Sequence, residues 1–340
     1  MVTSRRARHE RLSARLASLD DRALAALVGT REDVGVGGGS SVVDVGGAPV
    51  FVKRIPLTDR ELARPHATAN LFDLPVHCQY GIGGPSFNAW RELAANRVVT
   101  DAVLAGGTAA FPLLHHWRVL PGRARVAAEH ADVDATVALM GGSPAVRARL
   151  EALAAASHSL VLFCEHIPHP AADWLAEDPA AKAEEVERQL TGIAAFLRDR
   201  DLLHMDGHFG NLRTDGERLY LTDFGLVTSP AFDLSADEHD FVHRNAAHDA
   251  DYAAMRLVNW LVTEVCGVTV PPGDVPTARN AFVHRCAAGG VPADVPPAVA
   301  AILARHAPAA ARLNDFYWRL FDGEFDAGYP VGHGDRMPRR

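Results

Sequence analysis

The stretch His204-Met205-Asp206-Gly207-His208-Phe209-Gly210-Asn211, with the triplet Asp223-Phe224-Gly225 that follows it, decides how the rest of the chain is read. It offers an acid at 206, an amide at 211 and a second acid at 223. All three present oxygen atoms, the donors that a hard cation takes. The spacing has a geometric reason. Between Asn211 and Asp223 runs Leu212-Arg213-Thr214-Asp215-Gly216-Glu217-Arg218-Leu219-Tyr220-Leu221. Two short strand-like runs around an Asp-Gly turn read as a hairpin, and a hairpin returns Asp223 to the side of Asn211.

An acid to align a hydroxyl, with an amide and a second acid to hold Mg²⁺ on nucleotide phosphates, suits phosphoryl transfer from ATP. The stretch resembles the catalytic loop and metal-binding triplet of the protein-kinase-like superfamily. That group includes the Ser/Thr/Tyr protein kinases and small-molecule kinases such as aminoglycoside phosphotransferases and choline kinases. The resemblance covers residues 30–265, with motifs at 37–53, 92 and 204–225. It implies an α+β, two-lobed protein-kinase-like fold: a small antiparallel β lobe and a larger, mainly helical lobe, with ATP and Mg²⁺ as cofactors.

Lysine usage supports this from composition. Of 34 basic residues only Lys53 and Lys182 are lysines. A compact ammonium on phosphate is not simply exchanged for a planar guanidinium. Lys53 lies in the apolar run Pro49-Val50-Phe51-Val52-Lys53-Arg54-Ile55, where the resemblance implies a phosphate-contacting Lys. Upstream, residues 33–55 read as three short strands, and Gly37-Gly38-Gly39-Ser40 reads as a loop whose backbone N–H groups can approach phosphates. The alternative for this loop is plain flexibility.

Ser86 is expected to cap a helix from Phe87 to about Ala105. On it Glu92 would pair with Lys53 and aim it, as the resemblance implies. Residues 56–86 form an insertion before that helix. Phe111–Leu120 and Val161–Phe163 read as strands, with a helix from Ser143 to Ser157 between them. Glu165 to Ile167 would connect the lobes and present backbone to adenine. Residues 179–200, 235–265 and 296–323 read as helices. The expected organisation is thus an amphipathic helix over 1–28, a first lobe over 29–165, a second lobe over 166–330 and a polar tail over 331–340.

In this scheme Asp206 aligns the nucleophile, Lys53 holds phosphates, Glu92 orients Lys53, and Asn211 and Asp223 bind metal. His204 packs behind the loop and hydrogen-bonds backbone. His208 either contacts phosphate or shapes the loop. Met205 stands where many regulated protein kinases have Arg, and no Ala-Pro-Glu follows Asp223. Phe224-Gly225 nonetheless tilts the acceptor toward a protein Ser/Thr hydroxyl. The alternatives are a small-molecule kinase and a nucleotide-binding pseudokinase that regulates a partner through the N-terminal helix.

A rival constellation is His239-Asp240-Phe241-Val242-His243, two His at i and i+4 on one helix, a spacing that can bind Zn²⁺. Asp in place of Glu shortens its general base. With 17 His in the chain, chance pairs at this spacing are expected.

Composition bounds the rest. A net charge of −8 argues against general nucleic-acid affinity. No apolar run approaches the roughly 18–20 residues that span a bilayer. The four cysteines form no CxxC pair, as expected of free thiols in a reducing cytoplasm. Abundant Ala and Arg with scarce Lys matches a GC-rich bacterial genome.

Overall fold

The computed structural model describes residues 2–29, 33–35, 38–124, 130–271 and 275–330. They form a mixed α+β protein with a small antiparallel sheet. The chain divides into two compact units: Met1–Pro168 with His204–Asp206 and Tyr220–Phe241, and His169–Leu203 with Gly207–Leu219 and Val242–Arg340. The first unit runs to Pro168, three residues past the lobe boundary expected after 165, and the chain re-enters it at 204–206 and 220–241. Local bonds account for the return. Leu221 N–H donates to Ala110 O at 2.9 Å, the His204 ring bonds Thr222 O at 3.0 Å, and Phe224 packs against Phe111.

The first unit is built on a sheet of β1 (Asp33–Gly35), β2 (Gly38–Asp44), β3 (Pro49–Leu57), β4 (Leu114–Pro121) and β5 (His158–Glu165), in the order β1-β2-β3-β5-β4. Strand alternation sends successive side chains to opposite faces. One set, Val50, Val52, Val161 and Phe163, packs with Leu12, Leu16, Leu24 and Val28. These four come from α1 (Val2–Ala17) and α2 (Asp21–Val28). The other set, Ile55, Leu57, Leu160, Leu162 and Cys164, packs with Ala89, Trp90 and Leu93 of α4 (Ala89–Leu104). Lys53 shares the parity of Ile55 and Leu57, so the strand aims it at α4.

The single N-terminal helix expected over 1–28 is two. Apolar periodicity continues through the break, but Asp20 accepts from Ala23 N–H at 2.8 Å and restarts the helix. Both helices spend their apolar face on the sheet. The cap of α4 is Asn88, whose carboxamide accepts from Trp90 N–H at 2.9 Å, and not Ser86. The strand expected over Phe111–Leu120 runs from Leu114 to Pro121.

Between β3 and α4 lie α3 (Asp59–Leu62) and a 3₁₀ turn, Val76–Gln79. Between β4 and β5 lie α5 (Val133–Leu139) and α6 (Pro144–Ala155). The helix expected over 143–157 is α6, capped by Ser143.

In the second unit β6 (His169–Pro170) pairs with β7 (Leu212–Thr214), and α7 (Ala171–Glu177) leads into α8 (Pro179–Arg198). β8 (Leu219–Leu221) and α9 (Ala236–Arg244) carry the chain between the units. α10 (His248–Glu264), α11 (Thr277–Ala287) and α12 (Pro297–Phe321) complete the helical unit. A reciprocal amide pair, Asn259 with Asn314 at 2.9 and 3.1 Å, fixes α10 against α12. Among the described residues no helix is long and apolar enough to cross a membrane.

Candidate active site

Three of the sequence-selected residues converge in the first unit. Lys53 Nζ donates to Glu92 Oε1 at 2.7 Å and to Asp223 Oδ1 at 2.8 Å. β3 delivers the lysine, the first turn of α4 the glutamate, and the segment after β8 the aspartate. Lys53 and Glu92 are buried, and the Asp223 side chain is a quarter exposed. One cation faces two carboxylates, so the cluster carries an excess negative charge.

That imbalance shows in the proton affinities. Burial pulls the Lys53 ammonium down, but Asp223 and Glu92 outweigh it and hold its pKa above the ordinary lysine value. Burial pushes the Glu92 carboxyl up; Lys53 offsets this only in part, and Asp223 adds to it. Burial also opposes ionisation of Asp223, yet Lys53 and the Gly225 N–H hold its pKa below the ordinary aspartate value. The two carboxyls share one ammonium, which holds Asp223 toward its charged form, while burial outweighs it at Glu92.

The backbone is strained at this site. Asp223 sits at φ +62° and Met205 at φ +67°. The left-handed region is uncommon for non-glycine residues, and a buried Met has no side-chain oxygen to favour it locally. The Gly225 N–H bonds Asp223 Oδ1 at 3.1 Å and helps fix the turn. His204 secures the other side. Its Nδ1 accepts from the Asp206 N–H at 3.3 Å, which leaves Nε2 to donate to Thr222 O at 3.0 Å. This fully buried ring also packs on Phe224 at 5.1 Å. It thus ties the backbone before Asp206 to the backbone before Asp223, the packing role expected of it.

Asp206 has a neighbour that the sequence reading did not find. A Cβ placed on Gly81 would meet Asp206 Oδ1 well inside van der Waals contact, and its Cγ at 3.1 Å. A side chain at position 81 would have to displace the carboxylate from where it lies.

His208 and Asn211 belong to the second unit. Asn211 ends a 3₁₀ turn, Phe209–Asn211, and its N–H donates to His208 O at 2.9 Å. The His208 ring lies over Gly210, where a Cβ would stand 2.7 Å from Cε1, so the ring shapes its own loop. Gly37 lies outside the described residues. Gly38, Gly39 and Ser40, expected in a loop, are strand residues of β2 paired with Gly35, Arg54 and Lys53. Backbone pairing has claimed that run of glycines. Glu165 ends β5, and its carboxylate is held by Arg5 of α1 at 2.9 Å. The Glu165 N–H donates to Leu113 O at 2.7 Å. Ile167 follows, buried, in the first unit.

Two buried ion pairs support α4, and neither was anticipated. Glu61 accepts from Thr58 N–H, Thr58 O–H, Ala89 N–H and Arg149, at 2.9, 2.7, 2.8 and 3.0 Å. Both charged side chains are wholly buried. Burial opposes the Glu61 charge, but Arg149 and these hydrogen bonds hold its pKa below the ordinary glutamate value. Arg91, next to Glu92, donates to Glu238 at 2.6 Å and to Thr68 O at 2.6 Å. The capping-box pattern Thr58-x-x-Glu61 was the available signal for the first. Nothing local marks the second.

Among the described residues no three His, Cys, Asp or Glu side chains gather as a metal cage. His239 and His243 do lie on one helix, α9. Comparison with family models returns no match, and comparison with curated proteins returns none either.

Proposed function

We propose that the protein is an ATP- and Mg²⁺-dependent phosphotransferase that moves the γ-phosphate to a hydroxyl, on a two-lobed protein-kinase-like fold. The observation that carries this reading is Lys53 Nζ held between the carboxylates of Glu92 and Asp223, at 2.7 and 2.8 Å. A lysine so placed is pre-aimed and fully charged, ready to meet phosphate oxygens. The antiparallel sheet that carries Lys53 and the strained turn that carries Asp223 support the same reading.

The donor chemistry of Asp223 fits the metal: its carboxylate stays ionised and offers the oxygen that Mg²⁺ prefers. When bound, Mg²⁺ would neutralise charge that builds on the phosphates. Lys53 would hold phosphate oxygens, with Glu92 keeping it in place. Asp206 would accept a hydrogen bond from the acceptor hydroxyl and align it. His204 would keep Asp206 and Asp223 in register through the backbone. Positioning and charge complementarity would then supply most of the acceleration.

The test is transfer of label from γ-labelled ATP with Mg²⁺, for wild type, Asp206→Asn and Asp223→Ala. Loss of a general base costs about 10²- to 10⁴-fold, so Asp206→Asn should fall by that much while still binding nucleotide. Undiminished transfer by a folded Asp223→Ala protein would sink the assignment.

A further inference from the structure

We propose that residues 76–84 are a fixed wall of the acceptor site, gauged on Asp206 by Gly81, and that this wall restricts the acceptor to a small hydroxyl-bearing molecule. The inference rests on the phosphotransferase reading and names the acceptor class of that same site. It departs from the tilt toward a protein hydroxyl drawn from Phe224-Gly225.

The wall is built from both ends. Gly81 lies against the Asp206 carboxylate so closely that no Cβ fits between them. On one side of it the Gln79 carboxamide donates to Leu226 O, and the Tyr80 ring meets Phe241 edge-on at 5.2 Å. On the other, a Cβ at Gly84 would stand 3.2 Å from Cys78 Cβ and 3.0 Å from Met140 Sδ, so the loop is closed on itself and on the end of α5. Cys78, Gln79, Tyr80 and Ile82 are all buried.

The insertion also occupies the segment that follows Asp223. Asp233 accepts from Thr68 N–H at 2.9 Å, and Thr68 Oγ1 in turn accepts from Asp233 N–H at 2.8 Å. Arg91 ties Thr68 O to Glu238. Residues 226, 233, 238 and 241 are thus each engaged by this chain's own residues from 68 to 91. A polypeptide acceptor needs a strip of unoccupied surface beside the reacting hydroxyl, about 3.3 Å long per extended residue. In the first unit that ground, next to Asp206, is filled by the insertion. A compact molecule that presents its hydroxyl end-on needs no such strip.

The experiment uses a lysate separated by size into protein and metabolite fractions. Each fraction is incubated with the full-length protein, γ-labelled ATP and Mg²⁺, with nucleotide affinity measured in parallel. Wild type should label the metabolite fraction in an Asp206-dependent way. Gly81→Ala must push the carboxylate by roughly an ångström, a displacement worth on the order of 10²-fold, so its rate should drop by that factor at unchanged nucleotide affinity. Because Gly81→Ala could misfold, Gln79→Ala serves as a second variant. It loosens the wall at Leu226 and should raise the acceptor KM several-fold with kcat little changed.

Label confined to the protein fraction would overturn the acceptor class while leaving the phosphotransferase reading intact. Metabolite labelling that neither variant alters would overturn the wall. A folded protein that neither binds nucleotide nor labels either fraction would overturn the phosphotransferase reading, and this inference with it.

Discussion

Two buried carboxylates flank the first turn of α4 and live under different charge balances. Glu61 faces one guanidinium and three further donors, and every one of these satisfies the same single charge. Glu92 shares one ammonium with Asp223. The first arrangement closes on itself: Glu61 is held ionised and nothing more can be added. The second is left one cation short, and Glu92 is pushed toward its neutral form. Balanced burial makes structure, because removing either partner strands a charge. Unbalanced burial makes a receptor, because an incoming cation or an exchange of partners relieves it. Glu61, on α3, accepts from Ala89 N–H at the start of the helix that carries Glu92, so the balanced pair can hold still the element that presents the unbalanced one.

Glu61→Gln is the most severe way to break this comparison. It leaves Arg149 wholly buried with no counter-charge, which typically costs about 3–5 kcal/mol. Denaturant unfolding should show that loss in the midpoint. A loss below ~1 kcal/mol would mean that the pair does not organise α4.

Lys53→Met attacks the other side. On the proposed phosphotransferase reading, removing a preorganised charge aimed at the phosphates costs roughly 10²- to 10³-fold in rate. Its stability signature is sharper than its size. In wild type the folded pKa of Asp223 is depressed, so its contribution is present above the unfolded aspartate range and is lost as pH falls through the folded value. Without Lys53 that acid-side slope should vanish. Glu92, already raised, then binds its proton more tightly in the folded state, so stability should fall as pH rises through its value. Unfolding curves across pH check the reversal of slope. An unchanged acid slope in the variant would show that Lys53 is not the group that depresses Asp223.

The balanced and unbalanced clusters were not equally legible. Lys53 stood out because lysine is so rare here, and strand alternation then fixed the face it takes. Asp223 followed from its spacing to Asn211 across a hairpin. Glu92 was selected by the resemblance, which implies a helix Glu paired with the strand Lys. Glu61 went unread although Thr58-x-x-Glu61 is a capping-box pattern, and Arg149 had no signal at all: with two lysines among 34 basic residues the other 32 are arginines, and no local pattern selects one. Gly81 illustrates the same limit. Its neighbours Gly83 and Gly84 make it look like one more turn residue, and the reason for its missing side chain lies at Asp206, far away in the chain. The glycines at 38 and 39 failed in the opposite direction. Composition suggested a loose loop, whereas ladder pairing to Gly35 and Arg54 holds them in a strand. Contacts set by local spacing were readable, and contacts set by the tertiary return of the chain were not.

Glu92→Gln is the mildest test and the one that bears most directly on charge balance. The substitution keeps the shape of the side chain and a carbonyl oxygen for Lys53 Nζ, and it removes the carboxylate that burial already disfavours. Lys53 retains Asp223 as counter-charge, so no buried ion is stranded and the cost should stay under about 1 kcal/mol, within the ordinary range for a single hydrogen bond. The contrast with Glu61→Gln, the same chemical change at the other buried carboxylate beside the start of α4, is the quantity of interest. Activity should fall by about tenfold, since a one-sided lysine is aimed less well at phosphate. Paired unfolding curves and label-transfer rates decide it. Equal destabilisation by the two substitutions would show that burial alone, and not the count of counter-charges, governs both carboxylates.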